Sequence, residues 1–80
     1  MESNVEKLYN TFALALNVDV KIVNDNLSYQ SIPEWDSISH MVLVSELESV
    51  FDVSLDTDDI IDLSSVNKSK LILAKFNIEF

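Results

Sequence analysis

The sequence predicts an all-α protein, a small bundle of four helices, and three observations lead to that expectation. Apolar residues recur at three- and four-residue spacing in long runs, and capping residues stand immediately before each of four apolar stretches. Glycine, which phosphate-cradling loops, many tight hairpins and many helix C-caps use, is absent from all 80 residues. A chain of this length buries only about 60% of its unfolded surface. Its 48% hydrophobic residues must therefore serve one efficient core, and residues 1–80 are expected to form a single domain.

Val5, Leu8, Tyr9, Phe12 and Leu16 share one stripe of a first helix expected from about Ser3 to Leu16, with Ser3 or Asn4 as its cap. From Asn17 to Trp35 the period is lost. Turn formers (Asn24, Asp25, Asn26, Ser28, Ser31, Pro33) alternate with Val20, Ile22, Val23, Leu27, Tyr29, Ile32 and Trp35, which predicts an ordered loop packed across the bundle with a short helical turn. Asp36 then precedes the strongest helical pattern in the chain, through Ile38, Met41, Val44, Leu47 and Phe51. The second helix is expected from about Ser37 to Phe51, with Asp36 as its cap. Asp56-Thr57-Asp58-Asp59 opens a short third helix ahead of Ile60, Ile61 and Leu63. Ser64 or Ser65 caps a fourth, with Val66, Leu71, Ile72, Leu73 and Phe76 as its apolar residues. The expected order is thus three longer helices, a short third one, and a long connection between the first two.

Composition excludes several function classes. There is no cysteine, and there is one histidine, so disulfides, thiolate metal sites and multi-histidine centres cannot form within the chain. Five lysines against fourteen acids leave a net charge of −9, the wrong sign for nucleic acid or an anionic bilayer, so partners should be basic. No apolar run approaches the roughly 20 residues a membrane span requires, and Met1-Glu2-Ser3-Asn4 does not resemble a secretory signal. The expectation is a soluble, cytoplasmic monomer without membrane insertion. Asp52, Asp56, Asp58, Asp59 and Asp62 are clustered, but the central glycine and closing glutamate of a calcium loop are missing, so no metal site is expected.

Chemistry concentrates in Glu34-Trp35-Asp36-Ser37-Ile38-Ser39-His40-Met41. A helix start exposes unpaired N–H groups and partial positive charge, so a serine in the first turn can present its hydroxyl to solvent at an end that favours an added anionic group, which suits a modification site. The same physics also fits plain capping. Asp36-Ser37-Ile38, followed by Met41, Leu43, Leu47-Glu48 and Phe51, the acidic Asp58-Asp59 turn, and Ser65-Val66 before a last amphipathic helix, resembles the acyl carrier proteins from Val5 to Phe76.

That resemblance implies a four-helix bundle of acyl-carrier type and a 4′-phosphopantetheine arm, derived from coenzyme A, esterified to Ser37. Asp36 is then the motif acid that helps place the serine. The arm would supply the thiol this chain lacks and hold acyl or aminoacyl intermediates as thioesters, with all catalysis left to partners and no catalytic residue in the chain. The implied partners are a phosphopantetheinyl transferase, an acyl- or aminoacyl-loading ligase, and a downstream synthase or acyltransferase. Ile38, Ser39, His40, Val42, Glu46 and Glu48 are the candidate partner surface. Met41, Val44, Leu47, Ile60, Ile61 and Ile72 are candidates for a cargo pocket, with simple core packing the plainer reading of each.

The chain also departs from the family pattern. Val42 stands where fatty-acid-synthesis carriers usually have Glu, Ser39 where they often have an acid, and Glu34-Trp35 replaces a glycine-containing lead-in. A less charged helix favours a dedicated partner in a specialised route, such as polyketide, nonribosomal peptide or modified-saccharide assembly, over housekeeping fatty-acid synthesis. Residue chemistry leaves two other readings, an unmodified acidic adaptor for a basic protein and a small serine hydrolase built on Ser37 and His40. The hydrolase lacks an oxyanion hole and a nucleophile turn, so His40 is read as partner-facing or solvated.

Overall fold

The structure is a computed structural model and describes residues 2–80. Helix α1 spans Asn4–Leu16. The Ser3 hydroxyl accepts the Glu6 N–H at 3.1 Å, and the helix stops at Asn17, whose left-handed backbone (φ 56°) turns its N–H back to the Ala13 and Leu14 carbonyls. Leu8, Phe12 and Leu16 lie on the buried stripe.

The long connection is ordered and packed. A 3₁₀ turn over Val20–Ile22, capped by Asp19, starts it. Val23, Leu27 and Trp35 are buried, and Tyr29 and Ile32 pack against them. Val20 and Ile22 are exposed, contrary to their expected packing, because the three-residue turn carries both to the outside. The loop is stitched to the start of the last helix by backbone bonds: Tyr29 N–H to Ser64 O at 2.8 Å, Val66 N–H to Leu27 O at 3.0 Å and Asn67 N–H to Asp25 O at 3.1 Å. These bonds satisfy backbone groups that a packed loop would otherwise strand away from water.

Helix α2, Ser37–Phe51, follows its Asp36 cap, and α1 and α2 form the main helix pair. Leu43, Val44, Leu47 and Phe51 close against Leu8, Phe12 and Trp35 in one core. The Trp35 ring, fully buried, meets Phe12 edge-on at 5.4 Å between centroids. Each such side chain contributes about 1.5–3 kcal/mol on burial. Helix α2 ends at Asp52, again left-handed at φ 54°. The following segment is fastened by Leu55 N–H donating to Glu48 Oε2 at 2.8 Å.

Helix α3, Thr57–Asp62, is capped by Asp56, and α4, Val66–Ala74, by Ser65. Helix α4 is shorter than the apolar pattern predicts. Phe76 and Asn77 N–H groups bond the Leu73 and Ala74 carbonyls in a closing turn, with Asn77 at φ 65°, so Phe76 packs from beyond the helix. Leu71, expected on the apolar face, is 61% exposed, because Val66, Ser69, Ile72 and Leu73 occupy the inward face. No strand is present among the described residues; Ser28 and Ser65 form a lone antiparallel bridge. Among the described residues no helix is long and apolar enough to cross a membrane.

Candidate functional site

The loop-to-α2 junction is built by a reciprocal cap. Asp36 Oδ1 accepts the N–H groups of Ile38 at 3.0 Å and Ser39 at 2.9 Å, while the Asp36 N–H donates to Ser39 Oγ at 2.9 Å. Ser39 Oγ in turn donates to the Glu34 carbonyl at 2.6 Å. The Ser39 N–H holds the Asp36 carboxyl below the ordinary carboxylate range, helped by the Ser39 hydroxyl and the Ile38 N–H. Trp35 fixes the approach of the chain by plunging into the core one residue earlier.

Ser37 is the first residue of α2 and is exposed. The capping bonds run through Asp36 and Ser39 and do not engage its hydroxyl. Esterifying that hydroxyl with a phosphodiester therefore disrupts no cap, and the helix start favours the added negative charge. The residues present fit such a group.

Around Ser37, Ile38 is 78% exposed, Met41 55% and Val42 45%. Three residues expected at a partner surface are engaged within the fold instead. The Ser39 hydroxyl closes the cap, Glu48 receives the Leu55 N–H, and His40 has both ring nitrogens occupied. The Trp35 Nε1–H donates to His40 Nδ1 at 3.0 Å, and His40 Nε2 lies 3.0 Å from the Ile60 carbonyl. An indole N–H can only donate, so Nδ1 keeps its lone pair and Nε2 carries the hydrogen. His40 is thus neither a solvated group nor a base for Ser37, which removes the hydrolase reading. Glu46 is half-buried on α2.

The six cargo-pocket candidates do not converge. Val44, Leu47 and Ile72 are locked in the closed core, whereas Met41 points to solvent. Ile60 and Ile61 line a crevice of about 220 Å³ with Tyr29, His40, Leu63 and Ser64, between the loop, α2 and α3. Sequence patterning misses Tyr29, Leu63 and Ser64 there because they come from irregular segments brought together only by folding. A tryptophan just before the cap with a histidine five residues on was the one available signal. The acidic residues behave as helix-start and pairing groups: Asp56 caps α3, and buried Asp59 pairs with Lys75. Among the described residues, no group of three or more potential ligands could hold a metal ion.

The phosphopantetheine attachment site family model matches residues 6–68, from the first turns of α1 into the start of α4. The chain belongs to the phosphopantetheine attachment family. No curated protein and no solved structure matches it. As a member of this family it is a carrier rather than an enzyme, and its cofactor is covalent 4′-phosphopantetheine. Carriers of this family meet a phosphopantetheinyl transferase and the enzymes of a pathway.

Proposed function

We propose that residues 1–80 form a single carrier domain with Ser37 as the attachment residue, presenting acyl or aminoacyl thioesters to the enzymes of a specialised biosynthetic route. The observation that carries this reading is the Ser37 hydroxyl, exposed on the first residue of α2 and outside the capping network around it. Attachment forms a bond from Ser37 Oγ to the β-phosphorus of coenzyme A. The pyrophosphate link breaks, the adenosine bisphosphate leaves, and the serine proton passes to the transferase. The bound arm supplies the thiol on which cargo rides.

Asp36 supports this role by holding the α2 start in place. The apolar exposure of Ile38, Met41 and Val42 supports a partner that docks beside Ser37 through apolar contacts. Glu46 adds a charge on the same helix. With Ser39 and Glu48 bonded internally, this surface offers basic partners less than an acid-rich helix does, which favours a dedicated pathway.

The test is incubation of the purified chain with coenzyme A, magnesium and a broad-specificity phosphopantetheinyl transferase, followed by intact mass measurement. One phosphopantetheine should be gained, and Ser37→Ala should gain none. Persistence of the gain in Ser37→Ala would move the attachment elsewhere.

A further inference from the structure

Helix α3 has only six residues, too few to sustain itself, so its position depends on what grips it. The Ile60 carbonyl lies in its last turn. Ser64, which would meet that carbonyl in a longer helix, donates instead to Asp62 O at 2.7 Å, and His40 supplies the missing donor from α2. His40 is itself held from the other side by the Trp35 indole N–H, by stacking on the Trp35 ring (6.2 Å between centroids, 19° between planes) and by a T-shaped contact with the Tyr29 ring (5.4 Å between centroids). A single imidazole therefore links the buried loop anchor to α3 at the wall of the crevice, one helical turn from Ser37.

From this bonding we infer that His40 is a proton-operated clasp on α3: closed when neutral, and released from the loop anchor when Nδ1 takes up a proton. An added proton places N–H against N–H between His40 and Trp35, leaving the buried indole without an acceptor. The ring must then leave its stack, and the bond to Ile60 goes with it.

The groups facing His40 offer an imidazolium little compensation. The loop presents the Tyr29 ring in a T-shaped contact, and Asp36, the cap of α2, spends its carboxylate on the Ile38 and Ser39 N–H groups. On α3, Asp59 is paired with Lys75 of the segment after α4, and Asp58 and Asp62 are exposed. Release widens the crevice lined by Tyr29, Ile60, Ile61, Leu63 and Ser64, so acidification changes the surface presented beside Ser37.

The inference is independent of whether Ser37 is loaded, and the unmodified full chain tests it. His40 is the sole histidine, so its ring carbon protons report its own titration by NMR without ambiguity. Between pH 8 and pH 5 the Trp35 indole N–H and the amides of residues 60–64 should shift along that same curve. The exchange protection of the Ile60 and Leu63 amides should fall about fivefold, the factor equivalent to one hydrogen bond of about 1 kcal/mol. His40→Gln, whose amide can accept from Trp35 and donate to Ile60, should keep the closed shifts at both pH values. His40→Phe should show the open shifts at both. Wild-type amides of α3 that ignore the His40 titration, or the same pH response in His40→Gln, would overturn the clasp. The wild-type titration alone decides the matter if either variant fails to fold.

Discussion

Tyr9 on α1 donates its phenolic hydrogen to Asp25 Oδ1 in the loop at 2.7 Å, and Lys70 of α4 reaches the same oxygen at 2.8 Å. The Lys70 ammonium also lies 5.5 Å from the centre of the Tyr9 ring. Three segments distant in sequence are joined at one carboxylate. Tyr9→Phe keeps the ring and removes the hydrogen bond, so it should cost about 1 kcal/mol. Urea denaturation should show a lower midpoint with an unchanged m-value. Lys70→Met should cost less, because the Asp25 side chain is 46% exposed and solvent screens the pair.

Acid should weaken the fold through three carboxylates. Lys70 and then Tyr9 lower the Asp25 pKa, the Ser39 N–H lowers that of Asp36, and Lys75 lowers that of Asp59. Each contribution is complete above the unfolded carboxylate value of about 3.9 and is lost as pH falls through the depressed folded value. The stability difference between wild type and Asp59→Asn should therefore be constant near neutrality and shrink below about pH 4. Lys70 and Lys75 are raised by their carboxylate partners, and Tyr9 by its bond to Asp25. Their contributions hold below about pH 10 and disappear as pH rises through the raised values. Denaturation midpoints measured from pH 2 to 11 would reveal both limbs.

Without glycine, the chain makes its left-handed turns with Asn17, Gln30, Asp52 and Asn77. Asn and Asp tolerate that conformation; Gln30, at φ 64°, is the one residue of the four whose side chain does not ease it. Gln30→Gly should stabilise by up to about 1 kcal/mol once the greater freedom of glycine in the unfolded chain is subtracted. The melting temperature should rise by about 4–8 °C per kcal/mol gained. Gln30→Ala should bring no such gain, and an equal rise in both variants would rule out backbone strain as the cause.

The net charge of −9 on so small a body opposes compaction, and only Asp25–Lys70 and Asp59–Lys75 offset it as ion pairs among the described residues. Raising sodium chloride from about 0.01 M to 0.15 M shortens the screening length from about 30 Å to 8 Å. Melting temperature should climb over that interval. A flat or falling dependence would mean that loss of the two ion pairs outweighs relief of repulsion.

Helix order was legible because the signals are local. Asp36 before an apolar 3.6-residue period sets the start of α2, Ser3-Asn4, Asp56 and Ser64-Ser65 mark the other starts, and the structure selects Ser3 and Ser65 from the two pairs. The end of α4 was less legible, because Phe76 continues the apolar pattern while the backbone has already turned. At the site, the place of Ser37 at a helix start follows from the same local rules, and the family motif around it points to the arm.

What the sequence by itself determined is the helical class, Asp36 as the cap of α2 and Ser37 at the head of that helix, all consequences of interactions spanning three or four residues; the choice of Ser3 over Asn4 and of Ser65 over Ser64 as caps came from the structure. Only the tertiary structure decided which neighbours of Ser37 remain free. Ser39 and His40 look alike on paper as polar residues near a helix start, yet the first is consumed by its own cap and the second by Trp35 and Ile60. The reason is range: a cap is written in adjacent residues, but the second partner of His40, the Ile60 carbonyl, lies 20 residues away and meets it only when α3 folds back against α2.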